Sequence, residues 1–229
     1  MDEPERTLTI IHLALLAVVM AGLVHRRLFR ICYAFALYVA VVLTAEMLIF
    51  GWPLRFFVWS FYTTKEITYG ALKLAILLEI TALTYQEFPS ARAAVRRLLL
   101  GVMVMILALM TFGVPSNLDF QDLVRELLRR LAQGTGMAYL ATWALLLWYR
   151  LPLHRLHRAI LRGLVPYLTL YAADRTILLQ DWNKRRESVN VVEMVAYAVV
   201  LAYWAWEVWR RPPRDPEFMR TLQPWRARL

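Results

Sequence analysis

The sequence is poor in the residues from which disulfide scaffolds, metal centres and phosphate loops are built. Cysteine occurs once, as Cys32, inside an apolar run. That excludes a disulfide framework and a thiolate metal site, and it makes Cys32 a small buried hydrophobe. Histidine occurs four times. His154 and His157 (HRLHR) stand close together, but no acidic residue neighbours them and His12 belongs to the opposite face. The three or more converging ligands of a zinc or di-iron centre are therefore not assembled, and the pair reads as a cationic loop at an interface. Glycine is scarce, with 8 residues, and no GxSxG, HExxH, GxxxG or glycine-rich phosphate loop occurs. Acids are few: 17 against 27 lysines and arginines, a net charge of +10.

What the chain has in quantity is apolar surface. Hydrophobic residues make up 60% of 229, and the mean hydropathy is +0.46, well above a soluble domain of this size. Apolar runs recur at Leu8–Val24, Ile31–Phe50, Glu66–Glu87, Leu98–Val114, Leu131–Trp148, Leu161–Gln180 and Val189–Trp209. At roughly 20 residues per span these predict seven transmembrane helices, with no length left for a soluble catalytic domain. The acidic residues before Leu8 argue against a signal peptide, so the first run reads as an uncleaved span. Asp119–Arg130 has a helical pattern and should lie on the membrane surface or extend span five. Gly134 and Gly136 mark a candidate bend. Pro53, Pro89, Pro115 and Pro152 fall at span boundaries, and Pro166 predicts a kink within span six.

Charge then orients the bundle. The loops holding Arg26, Arg27 and Arg30, Arg92, Arg96 and Arg97, and Arg150, Arg155, Arg158 and Arg162 share one side with the tail after Trp209. Only Glu87, Asp215 and Glu217 oppose these arginines, whereas acids and bases, Lys65 among them, balance on the other side. The positive-inside rule gives an outside N-terminus and a cytoplasmic C-terminus. The net basic charge is thus a membrane-surface feature, suited to anionic lipid headgroups, and not a nucleic-acid footprint. Residues 1–209 form one membrane domain. Residues 210–229 form a basic, proline-rich tail that anchors on lipid or docks a protein partner. Trp52, Trp59, Trp148, Trp182, Trp209 and Trp225 fall at predicted span ends, as an aromatic belt requires; Trp143, Trp204 and Trp206 lie deeper and read as packing residues.

The central stretch is Ser60–Phe88, which carries Lys65, Glu66, Lys73 and Glu79 through an otherwise apolar helix. Ionisable groups in hydrocarbon are costly and turn inward to partners or water. With this topology, Glu46, Lys73, Asp174, Arg175 and Glu193 fall in one layer of the outer leaflet, Lys73 about 10 Å in. Glu66 and Tyr69 share the Lys73 face at helical spacing, and Tyr171 and Tyr197 join from spans six and seven. These nine residues are the predicted ligand-binding set: a polar pocket open to the outer face, or ion pairs that tie the helices together. Glu79 has no base at its depth, and Glu207 is expected to pair with Arg210 or Arg211.

Around residues 56–100 the chain resembles a group of seven-helix integral membrane proteins of acidobacteria and related bacteria that are themselves uncharacterised. The features are aromatics Tyr33, Phe35, Tyr38, Phe61 and Tyr62, glutamates Glu66 and Glu79 thirteen residues apart, the Phe88-Pro89 turn and the basic segment after it. The resemblance implies a seven-helix fold and no established activity; Lys65 and Lys73 are not part of that pattern. The three-one-three sugar-efflux transporters share the size and orientation, but their Pro-Gln motif is missing. The reading is a non-enzymatic receptor or sensor-like module of the bacterial inner membrane, with no cofactor. A small-solute or ion transporter using the same charges is the second reading, and a membrane-embedded enzyme the third.

Overall fold

The computed structural model describes residues 3–56, 58–84, 101, 119–148, 153–180 and 182–210, with side chains described outside 3–5 and 174–190. Among the described residues the chain is all-helical. Six long helices are α1 (Glu3–His25), α2 (Tyr33–Gly51), α4 (Trp59–Thr84), α5 (Phe120–Trp148), α6 (Arg155–Gln180) and α7 (Trp182–Trp209). A 3₁₀ turn, Leu28–Arg30, links α1 to α2, and the four-residue helix α3 (Pro53–Phe56) links α2 to α4. Proline opens α3, where its missing N–H costs nothing. Arg27, at φ 56, takes the left-handed conformation that turns the chain after α1.

Four stretches are long and apolar enough to cross a membrane: Arg6–His25, Tyr33–Gly51, Trp59–Thr84 and Val191–Trp209. Helices α5 and α6 have the length but not the composition, because Gln133, Gly134, Thr135 and Gly136 dilute the apolar part of α5 and α6 carries Arg155, Arg158 and Arg162. The predicted fourth span, Leu98–Val114, lies outside the described residues apart from helical Gly101, as do Pro89, Pro115, Pro152 and residues 211–229. Asp119–Arg130 extends α5, which runs unbroken through Gly134 and Gly136. Gly136 serves close packing: a Cβ there would meet the Leu168 carbonyl oxygen at 3.3 Å.

The long helices close a ring in the order α1, α2, α4, α5, α6, α7 and back to α1. Side-chain contacts set the directions. Gly22 and Val18 of α1 face Trp209 of α7, and Tyr139 of α5 donates to the Lys73 carbonyl of α4 at 2.7 Å, so α1/α7 and α4/α5 are parallel pairs. Elsewhere neighbours run antiparallel, as where Arg155 of α6 meets Glu207 of α7. The centre at the Arg155 end is packed with Phe35, Ile76, Ile80, Leu146, Leu161, Leu164, Leu201 and Trp204, all fully buried or nearly so. Phe35 and Trp204 meet edge to face with centroids 4.9 Å apart, a favoured geometry. Gly163 leaves room for the indole, since a Cβ there would stand 2.5 Å from Trp204 Nε1. Trp206, expected to pack inside, is instead 57% exposed on the outer face of α7. Threonine hydroxyls inside the helices bond back to the carbonyl one turn earlier, as at Thr44, Thr68, Thr84 and Thr169, which satisfies them without water.

Candidate functional site

The predicted polar layer lies at the end of the ring where α4 begins. Helix α4 supplies most of it, because the spacing of Glu66, Tyr69 and Lys73 repeats once per turn. Glu66 accepts a hydrogen bond from Tyr171 of α6 at 3.0 Å. Lys73 is 7% exposed, and its ammonium lies over the rings of Tyr171 and Tyr167, at 5.3 and 5.9 Å from their centroids. Aromatic faces attract a desolvated cation, and these two tyrosines are stacked on one another beside the ammonium. Glu46 of α2 pairs with Lys65 of α4 at 3.6 Å, and the Lys65 ammonium also stands over the Tyr62 and Tyr69 rings. Lys65 was assigned by sequence to the balanced outer surface and belongs to the layer.

Tyrosines join these charges into one network. Tyr38 of α2 meets Tyr69 edge to face and shares a 3.4 Å hydrogen bond with Tyr197 of α7. Tyr197 packs on Tyr167 and against the ring of His12, whose Nε2–H donates to the Met194 carbonyl at 2.9 Å. Glu193 of α7 is near enough to Tyr167 to act on it electrostatically. Asp174 and Arg175 lie on α6 with their side chains outside the described residues. Glu46, Glu66, Tyr69, Lys73, Tyr171 and Tyr197 therefore come together. Tyr38 and His12 were missed, though each is a polar ring inside an apolar run, a signal equal to the one that marked Tyr69.

A cleft of about 20 Å³ opens in this layer at the junction of α4, α5 and α6. Glu66, Gly70 and Lys73 line it from α4, Leu131 and Thr135 from α5, and Leu168 and Tyr171 from α6. That volume takes a guest of water or ion size. Thr135 is 2% exposed and among the described residues its hydroxyl has no hydrogen-bond partner; the buried Tyr69 hydroxyl is in the same state. A buried hydroxyl left unpaired costs about 1–3 kcal/mol. The layer thus holds unused hydrogen-bonding capacity beside charges that are already engaged. No family model, curated protein or solved structure matches this chain. The functional reading rests on these side chains.

Glu79, the second glutamate of α4, is engaged elsewhere. Its carboxylate accepts from the backbone N–H groups of Tyr33 and Ala34, at 2.8 and 2.7 Å, and from the Cys32 thiol at 3.3 Å. It caps the N-terminus of α2 from a neighbouring helix, where unpaired amides and the helix dipole favour an anion. The missing base is replaced by a helix end, which sequence spacing cannot reveal. Cys32 is fully buried as expected, but stands before α2 rather than inside a span. At the same end, His157 Nε2–H donates to the Ile31 carbonyl at 3.2 Å. Glu207 pairs with Arg210 at 3.8 Å, as its spacing predicts, and more closely, at 2.7 Å, with Arg155 of α6, a partner the spacing did not offer.

Proposed function

We propose that the chain is a non-enzymatic receptor or sensor-like module of a bacterial inner membrane. In this reading seven helices cross the bilayer with the N-terminus outside, the layer around Lys73 responds to a small ligand, and the basic cytoplasmic loops and tail engage a protein partner. The observation that carries the proposal is the closure beneath the layer. One turn beyond Lys73 the centre becomes apolar and filled, by Ile76, Ile80, Phe35, Leu146, Leu164 and Trp204. A polar layer sealed on one side can register an occupant without offering it a way through. The parallel pairing of α4 and α5 supports a seventh span: Thr84 and Phe120 stand at opposite ends of the bundle, and the apolar run Leu98–Val114 falls between them in sequence. The resemblance to seven-helix bacterial proteins agrees with this count.

A second reading, ion transport through the same layer, is favoured by the cleft's size, which suits an ion better than an organic solute. Reconstitution separates the two. Proteoliposomes holding the purified chain are expected to show no flux of protons, sodium, potassium or chloride. Crosslinking in native membranes is expected to capture a cytoplasmic protein that is lost when Arg210, Arg211 and Arg214 are changed to Gln. An ion flux abolished by Lys73→Met would replace the sensor with a transporter.

A further inference from the structure

Helix α6 is buried on nearly all sides between Leu156 and Tyr171, and the principal exception is a stripe of four exposed residues, Arg158, Arg162, Pro166 and Thr169. Contacts with α7 fix the level of the two arginines. Arg155 meets Glu207, Trp204 donates to the Ala159 carbonyl at 3.2 Å, and Gly163 faces Trp204 and Val200. The partner stretch Val191–Trp209 is long and apolar enough to cross a membrane. Arg158 and Arg162 therefore stand beside a candidate span, Arg162 about 10 Å further along than Arg155. Outward side chains at this end of the neighbouring helices are apolar or aromatic: Leu147 and Trp148 on α5, Trp206 on α7.

An outward arginine at that level is costly in hydrocarbon, and an anion in the headgroup layer within reach of its stem relieves that cost. Glu207 is already engaged by Arg155 and Arg210, and among the described residues no carboxylate pairs with Arg158 or Arg162. Four-residue spacing stacks the two guanidinium groups on one face, and their long stems reach back toward the headgroup layer. We propose that Arg158 and Arg162 form a binding site for the phosphate of an anionic phospholipid in the leaflet at this end of the bundle. Guanidinium groups bind phosphate oxygens through paired, charge-assisted hydrogen bonds, and the interfacial tryptophans set the depth at which such a phosphate lies. The inference shares with the proposed function only the membrane-spanning reading of the helices. It concerns the opposite end from the Lys73 layer, so either can fail alone.

The test uses the full chain in neutral detergent and native mass spectrometry, with phosphatidylglycerol, phosphatidylcholine and inorganic phosphate as separate probes. The unsubstituted protein is expected to retain phosphatidylglycerol in preference to phosphatidylcholine. Arg158→Gln with Arg162→Gln is expected to weaken that retention by about tenfold or more, and Arg30→Gln, at an exposed arginine of the same end, to leave it unchanged. Arg162→Gln alone gives a milder variant that should show part of the loss if the pair does not fold. Undiminished phosphatidylglycerol binding in these variants, an equal loss with Arg30→Gln, or equal retention of phosphatidylcholine would overturn the proposal. Retention of inorganic phosphate as strong as that of the lipid would overturn it in favour of a free-phosphate site.

Discussion

Around Lys73, polar side chains mostly meet other side chains: Glu46 with Lys65, Tyr171 with Glu66, Tyr38 with Tyr197. Three buried hydroxyls at that end, on Thr63, Tyr69 and Thr135, have no hydrogen-bond partner among the described residues. Toward the Arg155 end, apart from the Glu207 ion pairs and the Cys32 thiol on Glu79, polar side chains meet backbone: Glu79 holds the first amides of α2, Trp204 the Ala159 carbonyl, His157 the Ile31 carbonyl and Trp209 the Val18 carbonyl. His12, on the Met194 carbonyl, and Tyr139, on the Lys73 carbonyl, are exceptions in the first group. The difference has a mechanical meaning. A backbone partner is fixed by helix register, so each such bond locks one helix against another. A side-chain partner can be exchanged by rotamer changes, which leaves the Lys73 end able to rearrange around a guest. Unpaired hydroxyls add to this, because a guest that bonds them relieves a standing cost.

The comparison can be broken most directly at the locked end. Trp204→Ala removes a fully buried indole and its hydrogen bond, and an expected loss of about 3–5 kcal/mol in detergent unfolding checks it. Next in size, Glu79→Ala leaves the amides of Tyr33 and Ala34 uncapped and is expected to cost about 2–3 kcal/mol. Glu79→Gln, which keeps one acceptor oxygen, should recover part of it. Lys65→Met, in the half-shielded pair with Glu46, is expected to cost no more than about 1 kcal/mol. Equal losses for Glu79→Ala and Lys65→Met would erase the distinction between the two ends.

Acid sharpens the same contrast. His154 lies before α6, where burial, with help from His157 and Arg155, lowers its pKa to about 4. Its neutral Nδ1 accepts the Leu156 N–H at 3.1 Å. The unfolded chain takes up the proton more readily, so stability should fall as pH drops from about 6.5 toward 4 and be level above that window. Hydrogen exchange should register the loss first at the start of α6, and His154→Asn should flatten the dependence. The smallest effects belong to the orphan hydroxyls. Tyr69→Phe and Thr135→Val should leave stability unchanged or raise it by about 1 kcal/mol. A loss of that size instead would mean that the hydroxyls are engaged and the Lys73 end is as fixed as the other.

Much of this was legible in the chain. The existence of α1, α2 and α4 follows from apolar runs, though α1 and α4 begin before theirs, at Glu3 and Trp59, and Glu66, Tyr69 and Lys73 were assigned to one face because helical spacing is a local property. Lys65 was misassigned because its position near a span end fits a surface lysine equally well, and only the approach of α2 brings Glu46 to it. The Glu207–Arg210 pair followed from local spacing, whereas the nearer guanidinium, Arg155, comes from α6 and was not legible for the same reason. Trp206 stands two positions after Trp204, and nothing in hydropathy says which of two tryptophans faces inward.

By itself, the sequence determined that this is a helical protein with segments suited to a membrane and with ionisable groups placed among them. Composition and a 3.6-residue period suffice for that, since both act within one helix. Tertiary structure alone decided which groups pair, which hydroxyls stay unpaired and that Glu79 caps a neighbouring helix. Those outcomes depend on the rotation and register of one helix against the next, which are set by where Gly22, Gly136 and Gly163 let large side chains and backbone approach.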